Sequence, residues 1–315
     1  MPRSTVQFQR GLSLTSFLAT YGTEEQCREA LYRIRWPSGF CCPRCGHRSC
    51  FLIKTRMLYQ CTDCRTQTSL MSGTVFGCSK LPLTIWFLAI FLITQSKNGI
   101  SSLALSRSTG ISPTAALRMK HKLQQAMKNH DDSLALSRVV QIDDAYWGGT
   151  RHDGLVGRGA SGKTPFLAAV ETNEDGHPIF MRLSRISGFT SHEIGRWVKH
   201  HVSPHGICVT DGLPGFRGIS ATGRIHQAII TGGGHNSMKI PQFKWVNTML
   251  GNVKNAIHGT YHQVSTRHLP RYFAEFCFRF NNRFTIGEMI PKLIRAAART
   301  PPIPGYKLKL AEDWW

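Results

Sequence analysis

Two aspartates, Asp143 and Asp211, and two cysteine pairs, Cys42/Cys45 and Cys61/Cys64, are the residues of this 315-residue chain whose types and spacing could do chemistry. Each aspartate closes an apolar run, VVQIDDAYWGG in the first case and GICVTDG in the second. A buried strand delivers the side chain at its end to the rim of a sheet. Two carboxylates brought there by neighbouring strands suit a divalent cation, because hard Mg²⁺ prefers carboxylate oxygen. Asp144 competes with Asp143 for the first place; strand alternation sends the two side chains to opposite faces, so one of them is expected to point inward. A third ligand is expected from a helix further on.

The cysteines read C-x₂-C, fifteen residues, C-x₂-C, the spacing of a tetrathiolate zinc site, with Gly46 suited to the tight knuckle after the first pair. Cys41 and Cys50 have no partner at the right offset. Four thiolates leave Zn²⁺ no open position, so the site is expected to be structural. Arg44, His47, Arg48, Lys54, Arg56 and Arg65 surround it and would make it a phosphate-binding surface.

The elements that must hold these residues follow from periodicity. Residues 1–38 carry a helical pattern from Glu24 to Ile34, with Cys27, Leu31 and Ile34 on one face and a stop at Trp36-Pro37. The zinc ribbon occupies 39–78. A helical segment, 79–135, opens with Leu81–Gln95, too short to span a bilayer and expected as a buried helix. Within it, Ile100–Met127 resembles a helix-turn-helix with a turn at Thr109-Gly110. Ser112 and Pro113 start the second helix, which would offer Arg118, Lys120, His121 and Lys122 to DNA. From Val139 apolar runs (VVQI, PFLAAV, PIFMRL, ICVT) alternate with polar turns and one amphipathic stretch, Ser191–His201, an α/β texture. The reading is mostly helical from Phe243, where Leu269, Phe276 and Phe280 recur at core spacing; the sheet-bearing domain is placed at 136–300 and a tail at 301–315.

With 41% hydrophobic residues the chain can bury a core, and a formal charge of +21 spread along its length points to a polyanionic partner. MPRSTVQFQR at the start lacks the apolar centre of a signal peptide, so a cytoplasmic location, with no membrane partner, is expected.

FKWVNTMLGNVKNAIHGTYH and RYFAEFCFRFNNR resemble the C-terminal part of the DDE domain in a bacterial insertion-sequence transposase family that also carries an N-terminal zinc ribbon. VQIDDAYWGG and VTDG match that family's acidic motifs, favouring Asp143 over Asp144, and the GTVF segment from Gly73 to Trp86 falls in order between ribbon and catalytic domain. The resemblance implies an α/β, RNase H-like catalytic domain, a mixed sheet flanked by helices, preceded by the ribbon and the helix-turn-helix-like segment. It puts Asn247 in the third place of the triad, with thirty-five residues between it and Asp211, where many DDE enzymes have Glu, and Lys254 two helical turns later on the same face. An amide oxygen coordinates without charge, so cations would be held by fewer anions; Glu275 is a weaker substitute, since a buried Glu more often serves packing and ion pairing.

The activity implied is transposition with Mg²⁺ (or Mn²⁺) at Asp143, Asp211 and Asn247, and with Lys254 on a phosphate. The partners implied are DNA, at the element's terminal inverted repeats and at the target, and a second copy of the chain in a homodimer or higher oligomer, nucleoid-associated. Gly148 and Gly149 fit a tight turn near the site, and Arg158, Lys163, His226, His235, Lys239 and Lys244 could track DNA, none singled out. The rival readings are a DNA-binding regulator derived from such a transposase and an RNase H-like nuclease or resolvase.

Overall fold

The computed structural model describes residues 11–148, 163–230 and 240–311, in two units. Gly149, Arg158, His235 and Lys239 lie outside the described residues. One unit comprises residues 1–129 and 282–309, the other 130–281 and 310–315.

In the first unit, α1 (Leu14–Tyr21) leads to α2 (Glu24–Arg35), which starts in a capping box between Thr23 and Gln26 and carries Glu24 and Glu25 in its first turn, Arg33 and Arg35 in its last. Both charge placements complement the helix dipole. Strands β1 (Cys50–Ile53), β2 (Leu58–Cys61) and β3 (Gln67–Ser69) form an antiparallel sheet in that order. Helix α3 (Leu83–Gln95) is apolar nearly all round and deeply buried, as expected for a core helix. Its cap Pro82 gives no side-chain bond, and Glu24 supplies one instead, accepting from the amides of Leu83 (3.2 Å) and Thr84 (3.1 Å). Among the described residues no helix is long and apolar enough to cross a membrane.

Helices α4 (Ser102–Thr109) and α5 (Pro113–Asp132) are joined at Gly110, whose φ of 71° ends α4 in the left-handed conformation that glycine adopts without strain. Ser112 Oγ accepts from the Ala115 amide at 3.3 Å, the expected cap. The expected basic face of α5 needs correction. Lys120 and His121 are buried, Lys120 giving its ammonium to Ile100 O at 2.6 Å. Lys122 is half-buried, over the Trp86 ring and 3.4 Å from Val75 O. Arg118 alone of the four is exposed, beside Thr114 and Leu117 in the first turns. Lysine stems are apolar enough to line a core when a carbonyl receives the ammonium, so charge along a helix does not reveal which face is wet.

The second unit is built on β4 (Val139–Trp147), β5 (Thr164–Thr172), β6 (Pro178–Arg185), α6 (Ser191–His201), β7 (Ile207–Asp211), β8 (Ile225–Ile229), α7 (Lys244–Tyr261) and α8 (Leu269–Asn281). The sheet order is β6-β5-β4-β7-β8; β4, β5 and β6 pair antiparallel, while β7 and β8 run parallel to β4. This is the mixed, RNase H-like arrangement expected. One sheet face (Phe166, Ala168, Val170, Val209) packs on α7 and α8; the other (Val140, Ile142, Leu167, Cys208) packs on α6. Leu269 is buried and Phe276 and Phe280 pack against the first of these cores, as their spacing implied. Edge strand β8, IHQAI, has no fully buried residue and gave no apolar run from which to read it.

Helices α9 (Met289–Arg299) and α10 (Gly305–Leu310) complete the set. Residues 282–299, expected at the end of the sheet-bearing domain, group with the first unit. The cause is the apolar face of α9 (Met289, Ile290, Leu293, Ile294, Ala297), which packs against α2 and α3.

Two local devices hold the sheet unit in shape. The 3-10 segment Pro214–Thr222 after β7 lies so close to the start of α6 that a Cβ on Gly218 would stand 1.9 Å from Ser191 O, and one on Gly215 2.1 Å from Phe189 O. At β6, buried Arg182 bonds Asp132 Oδ1 (2.7 Å), Leu134 O (2.8 Å) and Asp131 O, fixing the end of α5. Asn281 pairs with the Met181 backbone in both directions (2.8 and 3.1 Å) and reaches Asp131 Oδ2 at 3.3 Å. Burial pushes the Asp131 carboxyl up to about 8, against the pull of Arg182.

Gly218→Ala is expected to destabilise the fold by about 2 kcal/mol or more, read as a lowered melting temperature, because backbone must move to admit the methyl. The native state keeps the Asp131 proton up to about pH 8, whereas an unfolded chain releases it near 3.8. That contribution to stability is full below the unfolded value and is lost as pH rises towards 8. Asp131→Asn, which mimics the protonated acid, should therefore melt above the wild type at pH 8, with the difference closing towards pH 4.

Candidate functional site

The register of β4 and β7 builds the acidic site. Their parallel pairing matches Val139 with Ile207, Val140 with Cys208 and Gln141 with Val209. Two residues beyond that last pair stand Asp143 and Asp211, on the same sheet face as Gln141 and Val209 because side chains alternate. The two strands pair with each other no further, so the carboxylates sit where the sheet opens between them. Oxygens of Asp143, Asp144 and Asp211 lie within 4.8 Å of one another, and all three residues are half-buried.

Asp144 departs from the alternation argument. Its own amide donates to Asp143 Oδ1 at 2.9 Å, and an oxygen of each side chain comes within 4.8 Å of Asp211. Both residues stay paired with β5, opposite Ala168 and Leu167, but their β7 side is open, and there a carboxylate can reach around the edge. Asp211 Oδ1 accepts from the Leu213 amide at 3.0 Å, which ties the turn after β7 to the carboxylate. Three carboxylates converging at such separations are oxygen donors of the kind that hold Mg²⁺ or Mn²⁺.

Asn247 is half-buried and Lys254 exposed on α7, both along one edge of its buried stripe (Val246, Leu250, Val253, Ile257). Glu275 is accounted for elsewhere: it is almost fully buried, ion-paired with Arg279, and accepts from the Tyr261 hydroxyl at 2.7 Å, which leaves it a packing and pairing role. His226 bonds Thr210 (2.8 Å) and Ser220 (3.3 Å), and Lys244 stacks over Trp245. Gly148 follows β4 with φ of 144°.

In the ribbon, the Sγ atoms of Cys42, Cys45, Cys61 and Cys64 lie within 4.8 Å of one another, with Cys42–Cys64 at 3.5 Å and Cys45–Cys61 at 3.6 Å. A tetrahedron of bonds of about 2.3 Å has edges of about 3.8 Å, so the four thiols fit zinc. Each pair sits in a knuckle whose next residue takes positive φ, Gly46 at 76° and Arg65 at 58°. The Thr66 hydroxyl, 3.2 Å from Cys64 Sγ, and the Thr66 amide pull the Cys64 thiol down to about 6, towards the thiolate a metal needs. Arg44, His47, Arg48, Lys54, Arg56 and Arg65 are all exposed, as are the apolar Phe51, Leu52 and Met57 on and after β1.

The family model for the ISXO2-like transposase domain matches residues 135–281, and that for the transposase zinc-ribbon domain matches residues 22–67. These matches give the chain an ISXO2-like transposase domain behind a transposase zinc ribbon. An uncharacterized protein in transposable element ISH50 of Halobacterium salinarum is 30% identical over 89 residues, 27% of this chain and 30% of that relative's length. The transposase-domain match ends at Asn281, the last residue of α8 and the point where the chain returns to the first unit. The ribbon match takes in α2, whose Tyr32 stacks with Tyr59 of β2. The α4–α5 pair falls between the two matches.

Sequence reasoning missed Gln141, which is buried beneath the acidic cluster with its Oε1 3.1 Å from the amides of both Trp245 and Val246. A polar residue two places before Asp143 in an otherwise apolar run was the available signal.

Metal analysis of the purified protein should return one zinc per chain from the ribbon. A strong chelator, or Cys61→Ser, should remove it and abolish hydrogen-exchange protection across β1–β3; protection that survives zinc loss would show that the sheet stands without the metal.

Proposed function

We propose that this chain is a DNA transposase that cuts the ends of its element and joins the freed 3′-hydroxyl to target DNA, using Asp143, Asp211 and Asn247 as metal ligands. The observation that carries the reading is the convergence of three carboxylates at the open end of the β4–β7 pair, in a chain with the transposase domain. The basic ribbon surface and the exposed first turns of α5 supply cations that suit a phosphate backbone.

In the first step a water oxygen bonds to phosphorus at the element end, and the bond to the 3′-oxygen breaks. In the second, that 3′-hydroxyl loses its proton as it bonds to a target phosphorus, and the target's own 3′-oxygen leaves. Mg²⁺ or Mn²⁺, when bound, supplies charge stabilisation for attacking and leaving oxygens. Asp143 and Asp211 bring two negative charges to one point, held by strand register. Asn247 brings an amide oxygen without charge, and Asp144 lies close enough to Asp143 and Asp211 to make up the deficit. Lys254, two turns beyond Asn247 and exposed, is placed to hold a phosphate as a point charge. Both chemical steps act on paired ends, so a homodimer or larger assembly on DNA is part of the proposal.

Incubation with the element's terminal sequences, Mg²⁺ or Mn²⁺ and a target duplex should give joined product. Asp143→Ala and Asp211→Ala should each lower joining by roughly a hundredfold or more, and Asp144→Asn should raise the cation concentration needed. DNA binding with no joined product would favour a transposase-derived regulator; cleavage without joining would favour a nuclease or resolvase.

A further inference from the structure

The first turn of α7 opens without a side-chain cap of its own: Phe243 precedes it, after the 3-10 turn Pro241–Phe243, and makes no capping bond. The leading amides of a helix have no partner within the helix, and burying them unpaired costs about 1–3 kcal/mol each. Here the acceptor comes from the sheet. Gln141 Oε1 lies 3.1 Å from the Trp245 amide and 3.1 Å from the Val246 amide. Gln141 is 6% exposed, its strand neighbours are Val170 of β5 and Val209 of β7, and its side chain is on the face that carries Asp143. A second bond, from Trp245 Nε1 to Gly176 O at 2.6 Å, fixes the same turn at the β5–β6 connection.

The residue after Val246 is Asn247. One side chain thus joins the strand that carries Asp143 to the helical turn that carries Asn247, with a two-residue offset on one side and a one-residue offset on the other. A helix slipped by one residue moves about 1.5 Å along its axis and turns about 100°, which would carry Asn247 away from the stripe it occupies. Apolar packing of Val246 and Leu250 against the sheet is non-directional and does not by itself choose among such slips. Two directional bonds to a single acceptor do.

We propose that Gln141 is a positioning residue of the transposase site: it sets the register of α7 against β4 and so fixes Asn247 relative to Asp143 and Asp211. The inference rests on the transposase reading for its catalytic consequence, although the tether itself can be read without any reaction. A carboxylate at position 141 would keep the acceptor and suit the positive end of the helix dipole, whereas leucine of similar size would fill the volume and accept nothing.

The test compares the full-length wild type with Gln141→Glu and Gln141→Leu. It reads Mn²⁺ affinity by calorimetry, hydrogen exchange over residues 244–250, melting temperature, and the Mn²⁺ concentration giving half-maximal strand joining. Q141L is expected to weaken Mn²⁺ binding by about tenfold or more, to shift the half-maximal concentration by the same factor, and to expose the first turn of α7 to exchange. Q141E should stay near the wild type in all of these. A general loss of stability would lower the melting temperature without a selective change in cation dependence. Q141L matching the wild type in affinity and exchange would overturn the proposal, as would Q141E proving as impaired as Q141L. If the wild type joins no DNA, the transposase reading falls by itself. The tether is then judged on Mn²⁺ affinity and exchange, where loss in Q141L with retention in Q141E upholds it and equality of all three proteins overturns it.

Discussion

Parallel pairing of β4 with β7 is the constraint on which the candidate chemistry depends. Bringing two carboxylates together in a folded chain is unfavourable unless other interactions hold them there, since like charges at short range repel. The strands supply that force through apolar burial below the site: Val140, Ile142 and Cys208 on one face, Val209 and Ala145 on the other. The repulsion is therefore met by cores that lie away from the acids. Because Gln141 pairs with Val209, nothing but the pleat is needed to place Asp143 beside Asp211.

The site also has to stay open where those cores are closed. The pairing of β4 with β7 stops before the aspartates, and all three acids remain half-buried. A fully enclosed trio would shed charge by binding protons, as Asp131 illustrates elsewhere in the same unit, where burial raises a single carboxyl to about 8 beside an arginine. Partial exposure keeps acids available to cations and a DNA phosphate. The ribbon follows the opposite rule: its four thiols surround a small volume with no position left over, as suits a metal that holds structure.

Much of this was legible in the sequence wherever the signal is local. The cysteine spacing, the aspartates at the ends of apolar runs, Ser191–His201 as a helix and the Ser112-Pro113 helix start each need only neighbouring residues to be read. What was not legible depends on partners far along the chain. Gln141 looks like an ordinary polar interruption until α7, more than a hundred residues later, presents two amides to it. Lys120 and His121 look like a DNA-facing pair until packing turns them inward. Edge strand β8 has no apolar alternation to read, because none of its residues is fully buried on either face.

Asp144 is the instructive intermediate case. Alternation along β4 sets it on the face opposite Asp143, yet its carboxylate converges with that of Asp143 because the strand has lost its β7 neighbour at that point. The consequence bears on charge. On the proposed reading, an amide in the third place would leave the cluster one anion short of a DDE site, and the doublet of acids on β4 would bring the count back without a change of helix. In a chain of net charge +21, negative charge concentrated at one point of the sheet marks the place where a cation, and not a phosphate contact, is favoured. The doublet can do this only because the sheet opens where it does, so the end of pairing is as much a part of the site as the acids themselves.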